Sequence, residues 1–127
     1  EEWADRDSNG NIIHRRNSAG FESWREYDSN GNEIHYKNSD GYEEWSEYDD
    51  HGNISYYKDY TGVEHWYEHD SDGRLIHYKN SDGDELRYEF DDNGNVIHYE
   101  NYNGKEYWYD SDGNFITKEE YDRIHAA

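Results

Sequence analysis

The chain has 127 residues, with 12 Lys plus Arg against 32 Asp plus Glu, a formal net charge of -20, and 31% hydrophobic residues of which most are aromatic, including 15 Tyr and 5 Trp. No apolar run approaches the ~20 residues of a membrane helix, no basic cluster offers itself to nucleic acid or an anionic bilayer, and the lack of cysteine removes disulfide and thiol chemistry. Ile, Leu and Val are too few for an ordinary aliphatic core, so burial must rest on Tyr and Trp, which favours a thin, repetitive structure over disorder.

The chain starts at Glu1 without Met or a signal segment, which reads as a piece of something longer. From there a repeat takes over. Trp3, Trp24, Trp45, Trp66 and Trp108 keep a spacing of 21, with Arg87 in the one missing place, and Asp7, Asp28, Asp49, Asp70 and Asp91 keep it too. The glycines run from Gly10 to Gly104 in alternating steps of 10 and 11, and Gly113 follows after 9. Each repeat therefore has two halves, each closed by a glycine. The first kind of turn ends DSNG (Asp28 to Gly31), DDHG (Asp49 to Gly52), DSDG (Asp70 to Gly73) or DDNG (Asp91 to Gly94). Asp at the first position and Gly at the fourth predict a type I turn with a G1 bulge in a three-residue hairpin loop. The second kind ends NSDG at Asn38 to Gly41 and Asn80 to Gly83, and DYTG at Asp59 to Gly62. Between turns, segments such as NEIHYKN and YEEWSEY have the length and composition of strands. At the end, Thr117 followed by Glu120 signals a capped short helix from Lys118 to about Ala126, with Tyr121 and Ile124 on one side.

The expected fold is all-β: tandem 21-residue antiparallel β-hairpin repeats, a meander forming a single-layer sheet or hairpin solenoid, with a short C-terminal capping helix. Residues 1–116 would hold about five repeats and residues 117–127 the cap. Parity constrains the turns. Three-residue loops at both turns would place facing residues two strands apart at 22, and equivalent residues of successive 21-residue repeats would flip between faces. A two-residue type I′ loop at the second turn, or a bulge in each repeat, removes the conflict. With a register of 21, one row runs Trp3, Arg15, Trp24, Tyr36, Trp45, Tyr57, Trp66, Tyr78, Arg87, Tyr99, Trp108, an aromatic ladder edged by Glu26, Glu47 and Glu68, with His35, His77 and His98 on the opposite face.

The unit YDSNGNEIHYKNSDGYEEW, with Tyr27-Asp28 and Tyr48-Asp49 as its Tyr-Asp pairs, resembles the tyrosine-aspartate (YD) or Rhs-type repeat of bacterial surface and toxin-encapsulating proteins. That resemblance covers roughly Glu1 to Ile116 and implies sheets of antiparallel hairpins in a structural role; Phe90-Asp91 and His69-Asp70 depart from the pair. The stretch GKEYWYDSDGNFIT (Gly104 to Thr117) is also similar to choline-binding and glucan-binding repeats, which implies ligands held between aromatics of neighbouring repeats.

Several chemistries compete on these residues. An aromatic ladder of Trp24, Tyr36, Trp45, Tyr57, Trp66 and Tyr78 beside Glu26, Glu47 and Glu68 suits a choline-like ammonium, a glycan or basic side chains. The Asp-Gly turns, through Asp28, Asp49, Asp70, Asp72, Asp91 and Asp110, suit weak calcium binding, although they lack the twelve-residue loop of a calcium hand. His14, His35, His77 and His98 recur two or more strands apart, ~9 Å at minimum, too far to share one zinc ion. His65 and His69 are ~13 Å apart along a strand. No nucleophile, general-base set or phosphate loop stands out, so an enzyme is not expected. Asn53-Ile-Ser55 is a lone glycosylation sequon. The resulting expectation is a non-catalytic structural or interaction segment of a larger bacterial surface or secreted protein, extracellular or at the cell surface, binding a protein partner or itself. The alternatives are a ligand module on the ladder and a calcium-stabilised repeat. No other cofactor, no nucleic acid and no membrane insertion are expected.

Overall fold

The computed structural model describes residues 2–126. It contains β1 (Trp3–Arg6), β2 (Ile12–Arg16), β3 (Glu22–Tyr27), β4 (Glu33–Asn38), β5 (Glu43–Tyr48) and β6 (Ile54–Lys58). There follow β7 (Glu64–His69), β8 (Leu75–Asn80), β9 (Glu85–Phe90), β10 (Val96–Glu100), β11 (Glu106–Tyr109), β12 (Phe115–Ile116) and α1 (Lys118–Ile124). The strands form a 12-stranded sheet in chain order, an antiparallel meander as the repeat predicts. Two compact units, Glu1–His65 and Trp66–Ala127, divide the chain within β7. No helix is long and apolar enough to cross a membrane.

All turns share one geometry. Asp28 N–H donates to the Asn32 carbonyl at 2.8 Å and Gly31 N–H to the Asp28 carbonyl at 3.1 Å; Asn38 and Gly41 repeat this with Tyr42 at 3.0 Å and 3.2 Å. The first side chain completes the loop: Asp28 Oδ1 accepts from Asn30 N–H and Asn32 N–H, each at 2.9 Å, while Asn38 Oδ1 accepts from Asp40 N–H at 2.9 Å and Tyr42 N–H at 3.2 Å. Asp and Asn are interchangeable here because either presents the one oxygen the loop amides need. Among the described residues only glycines have positive φ, 86° at Gly31 and 87° at Gly41. The type I′ alternative for the second turn is thereby corrected, since Asp40 would have needed a left-handed backbone as well.

The parity conflict is resolved by a bulge. In the hairpin of β3 and β4, Tyr27 pairs with Glu33 but Glu26 pairs with His35, leaving Ile34 as the extra residue. Ile13, Ser55 and Ile97 are skipped in the same way in their own hairpins. The hairpins closed by the second turn keep an unbroken register, as in His35 with Trp45 and Lys37 with Glu43. The expected row is therefore displaced by one residue at each step. Trp24 faces His14 and Lys37, whereas Tyr36 faces Arg25 and Glu44, so Trp24 and Tyr36 lie on opposite sides of the sheet.

Among the described residues no hydrophobic side chain is fully buried, and Ser23, at 4% exposure, is the one buried residue. Stability thus rests on cross-strand pairs, each contributing roughly 0.2–1 kcal/mol, and on the turns rather than on a core. The C-terminal helix begins as its sequence predicts, with Glu120 N–H donating to Thr117 Oγ1 at 3.1 Å.

Candidate interaction surface

One face alternates rings and charges. His35 lies between Glu26 on β3 and Trp45 on β5. Its ring stacks on Trp45 with centroids 5.1 Å apart and planes at 14°. Its Nδ1 is 3.5 Å from Glu26 Oε1 and its Nε2 2.6 Å from Glu43 Oε2. Lys58 Nζ sits 5.2 Å from the Trp45 ring. One repeat earlier His14 stacks on Trp24 at 5.0 Å and reaches Glu22 at 3.0 Å, while Lys37 lies 5.4 Å from the Trp24 ring.

The same unit recurs in the second half of the chain. His98 stacks on Trp108 at 5.3 Å and 8°, with Glu89 at 3.2 Å and Glu106 at 3.0 Å from its two nitrogens. His77 is held between Glu68 at 3.3 Å and Glu85 at 2.5 Å, facing Arg87 where the other repeats have Trp. The His77 contact, with Arg87 adding to it, holds the Glu85 carboxyl below its ordinary range. Lys79 lies 5.5 Å from the Trp66 ring. In the third repeat Tyr56 takes the histidine place, and its hydroxyl donates to Glu64 Oε1 at 3.0 Å. Burial, and then that bond, raise the Tyr56 phenol above its usual range.

The other face belongs to tyrosine. Tyr27 and Tyr48, the tyrosines of the Tyr-Asp pairs, donate from their hydroxyls to the carbonyls of Ile12 at 3.2 Å and Glu33 at 3.3 Å, each reaching back across the preceding hairpin. Tyr57 donates to Glu44 Oε2 at 2.6 Å, and Tyr42 to the same oxygen at 3.0 Å. The bond to Glu44, with burial second, pushes the Tyr57 phenol well above its ordinary range. Arg25 stacks over Tyr36 at 4.7 Å. In the second unit Tyr67 packs on Tyr78 at 5.0 Å, and Tyr88 on Tyr99 at 4.9 Å.

The structure thus splits the expected ladder. Within the first unit Trp24, Trp45, Glu26 and Glu47 share a face and Tyr36 and Tyr57 lie on the other; within the second, Trp66 and Lys79 share a face and Tyr78 packs with Tyr67. His35, His77 and His98, expected opposite the tryptophans, are instead their neighbours or take the matching place. The signal was in the sequence as His followed by Trp ten residues on, at His14, His35 and His98, which a three-residue loop at the second turn places side by side.

The turn aspartates are committed to their own loops. Asp28, Asp70, Asp91 and Asp110 each accept two backbone N–H groups on Oδ1, and these bonds hold their carboxyls below the ordinary range. Asp49 accepts from His51 N–H and Asn53 N–H in the same way. Asp72 gives its backbone N–H to Asp70 Oδ1 at 2.9 Å, and its carboxylate accepts from Arg74 at 3.1 Å. Among the described residues no three His, Cys, Asp or Glu side chains are grouped as a metal ion would require.

No family model matches this chain, and no curated protein does. Solved structures do share its fold. The Tc holotoxin pore of Photorhabdus luminescens matches over 91% of this chain at 23% identity and a TM-score of 0.60. A TcdB2-TccC3 structure without the hypervariable C-terminal region matches over 91% at 25% identity and 0.61. This chain spans only 6 to 7% of the length of those toxin chains.

Proposed function

We propose that this chain is a non-catalytic repeat segment of the YD/Rhs kind, serving as scaffold and protein-interaction surface in a larger bacterial protein that is secreted or displayed at the cell surface. One observation carries the reading: the residues that recur with the repeat are used to hold each strand to the next. Turn Asp and Asn bind their own loops, Tyr27 and Tyr48 tie hairpins together, and His35, Glu43, Trp45 and Lys58 satisfy one another. The fold shared with Tc toxin chains supports it. The flanks of Trp24 and Trp45 are already taken by His14 and Lys37, and by His35 and Lys58, so an ammonium ligand would have to displace a lysine of this chain.

Tryptophan fluorescence of the full chain titrated with choline, glucan oligomers and a basic peptide tests the reading. A scaffold leaves the spectrum unchanged with choline and glucan. A saturable response to either overturns the scaffold assignment in favour of a ligand module.

A further inference from the structure

The C-terminal helix shows what the tryptophan face accepts. Tyr121 projects from α1 over the His98–Trp108 pair, its ring centroid 6.1 Å from His98 and 6.4 Å from Trp108. Its hydroxyl donates to Glu89 Oε2 at 3.4 Å, while Glu89 Oε1 faces His98 Nδ1 at 3.2 Å. One carboxylate thus serves both the histidine and the incoming phenol.

Glu26, His35 and Trp45 stand three repeats before Glu89, His98 and Trp108. The stacked pair at 5.1 Å and the Glu26 Oε1 contact to His35 Nδ1 at 3.5 Å are the same, but Lys58 lies 5.2 Å from the Trp45 ring where Trp108 faces Ile116, so an incoming ring must turn that lysine aside. Here, among the described residues, no helix lies over the pair: Trp45 is 37% exposed, and the Glu26 side chain is open at 68%, close to the 58% of Glu89. A shallow depression lined by Glu26, Ile34, His35, Trp45, Glu47 and Lys58 opens over the pair. The other repeats differ. Trp3 abuts His14 edge-on at 4.6 Å and Asp5 stands where Glu26 would be, and Arg87 replaces the tryptophan beside His77.

We propose that the depression at Glu26, His35 and Trp45 is a docking site for a tyrosine presented from a short helix of a partner protein. The phenol ring would lie over His35 and Trp45, and its hydroxyl would donate to Glu26. Tyrosine suits the site better than phenylalanine because its hydroxyl can donate to the Glu26 carboxylate while its ring lies on the indole–imidazole pair.

The test uses the full chain labelled with nitrogen-15, its indole N–H signals assigned by single Trp→Phe variants. The probe is a synthetic peptide of residues 114–126 with a lactam joining Lys118 to Asp122, whose side chains already lie 2.8 Å apart. The peptide should shift the Trp45 indole saturably and leave Trp24 unmoved. In a Tyr121→Ala chain, Trp108 should respond as well. A peptide with Tyr121→Phe should bind roughly fivefold more weakly, as loss of a hydrogen bond of about 1 kcal/mol dictates, and Glu26→Gln in the chain should weaken the Trp45 response alone. Trp108 answering in the Tyr121→Ala chain while Trp45 stays silent overturns the proposal. So does silence at both, or an equal shift of all five indoles.

Discussion

The two faces of this sheet solve one problem by different chemistry. Neither can bury a core, yet the tryptophan face stacks rings against rings and clamps His35, His77 and His98 between carboxylates, while the tyrosine face fixes its phenols to carbonyls and to Glu44. The first adds charge to its ring contacts; the second adds directed hydrogen bonds to ring packing such as Tyr67 on Tyr78. A single layer can therefore be stabilised without a dry interior, provided each exposed side chain finds a polar or aromatic neighbour on the adjacent strand.

Protonating the turn carboxylates should disrupt both faces at once, because the loops join them. Asp7, Asp28, Asp70, Asp91 and Asp110 have carboxyls lowered chiefly by their loops' backbone amides, and Asp59 is lowered to about 2, first by the Thr61 hydroxyl. A carboxyl depressed in the folded state stabilises above its unfolded value, ~3.9, and that stabilisation is lost as pH falls through the folded value. Tryptophan fluorescence and tyrosine near-ultraviolet dichroism should collapse together between pH 4 and about 2; separate midpoints would mean that the faces come apart independently of the turns.

Trp45→Ala strikes one face only. It should cost about 2 kcal/mol in denaturant unfolding, below the ~3–5 kcal/mol of a buried ring, because the indole is already part exposed. Tyr48→Phe tests the other face and should cost about 1 kcal/mol by freeing the Glu33 carbonyl. A cost for Tyr48→Phe as large as that for Trp45→Ala would erase the distinction drawn between ring contact and hydrogen bonding. Arg87→Trp sharpens it from the opposite direction: a new stack on His77 should raise stability by about 0.5 kcal/mol, seen as a small rise in melting temperature. Calcium should have the smallest effect, raising the melting temperature no more than magnesium at equal concentration. A calcium-specific rise would show that the turn carboxylates serve a metal beyond their own loops.

The repeat, the strands, the Asp turns and the capped helix were legible because each rests on local chemistry: glycine at positive φ, an Asx oxygen over its loop, Thr117 over Glu120. The faces were not. Placing Trp24 beside Lys37 rather than Tyr36 depends on where one extra residue, Ile34, is accommodated, and nothing in the composition of β4 marks Ile34 rather than its neighbours as the residue skipped. An error of one position moves a side chain to the far side of the sheet. The histidine–tryptophan pairs were lost at the other turn: a two-residue loop there sets Tyr36 opposite Trp45, whereas the three-residue loop sets His35 there, as the ten-residue spacing already implied.

The bulge also bears on how such a chain lengthens. Crossing two strands from Glu26 through His35 leads to Trp45, 19 positions on, while the pattern recurs every 21, so matching residues slip by two places and keep their side. A duplication of any whole number of units therefore adds strands without inverting the chemistry of those already there. An insertion of a single residue inside a strand would exchange the sides of everything paired beyond it. The odd period acts as a reading frame for the sheet, with the skipped Ile or Ser as the mark that keeps it in phase.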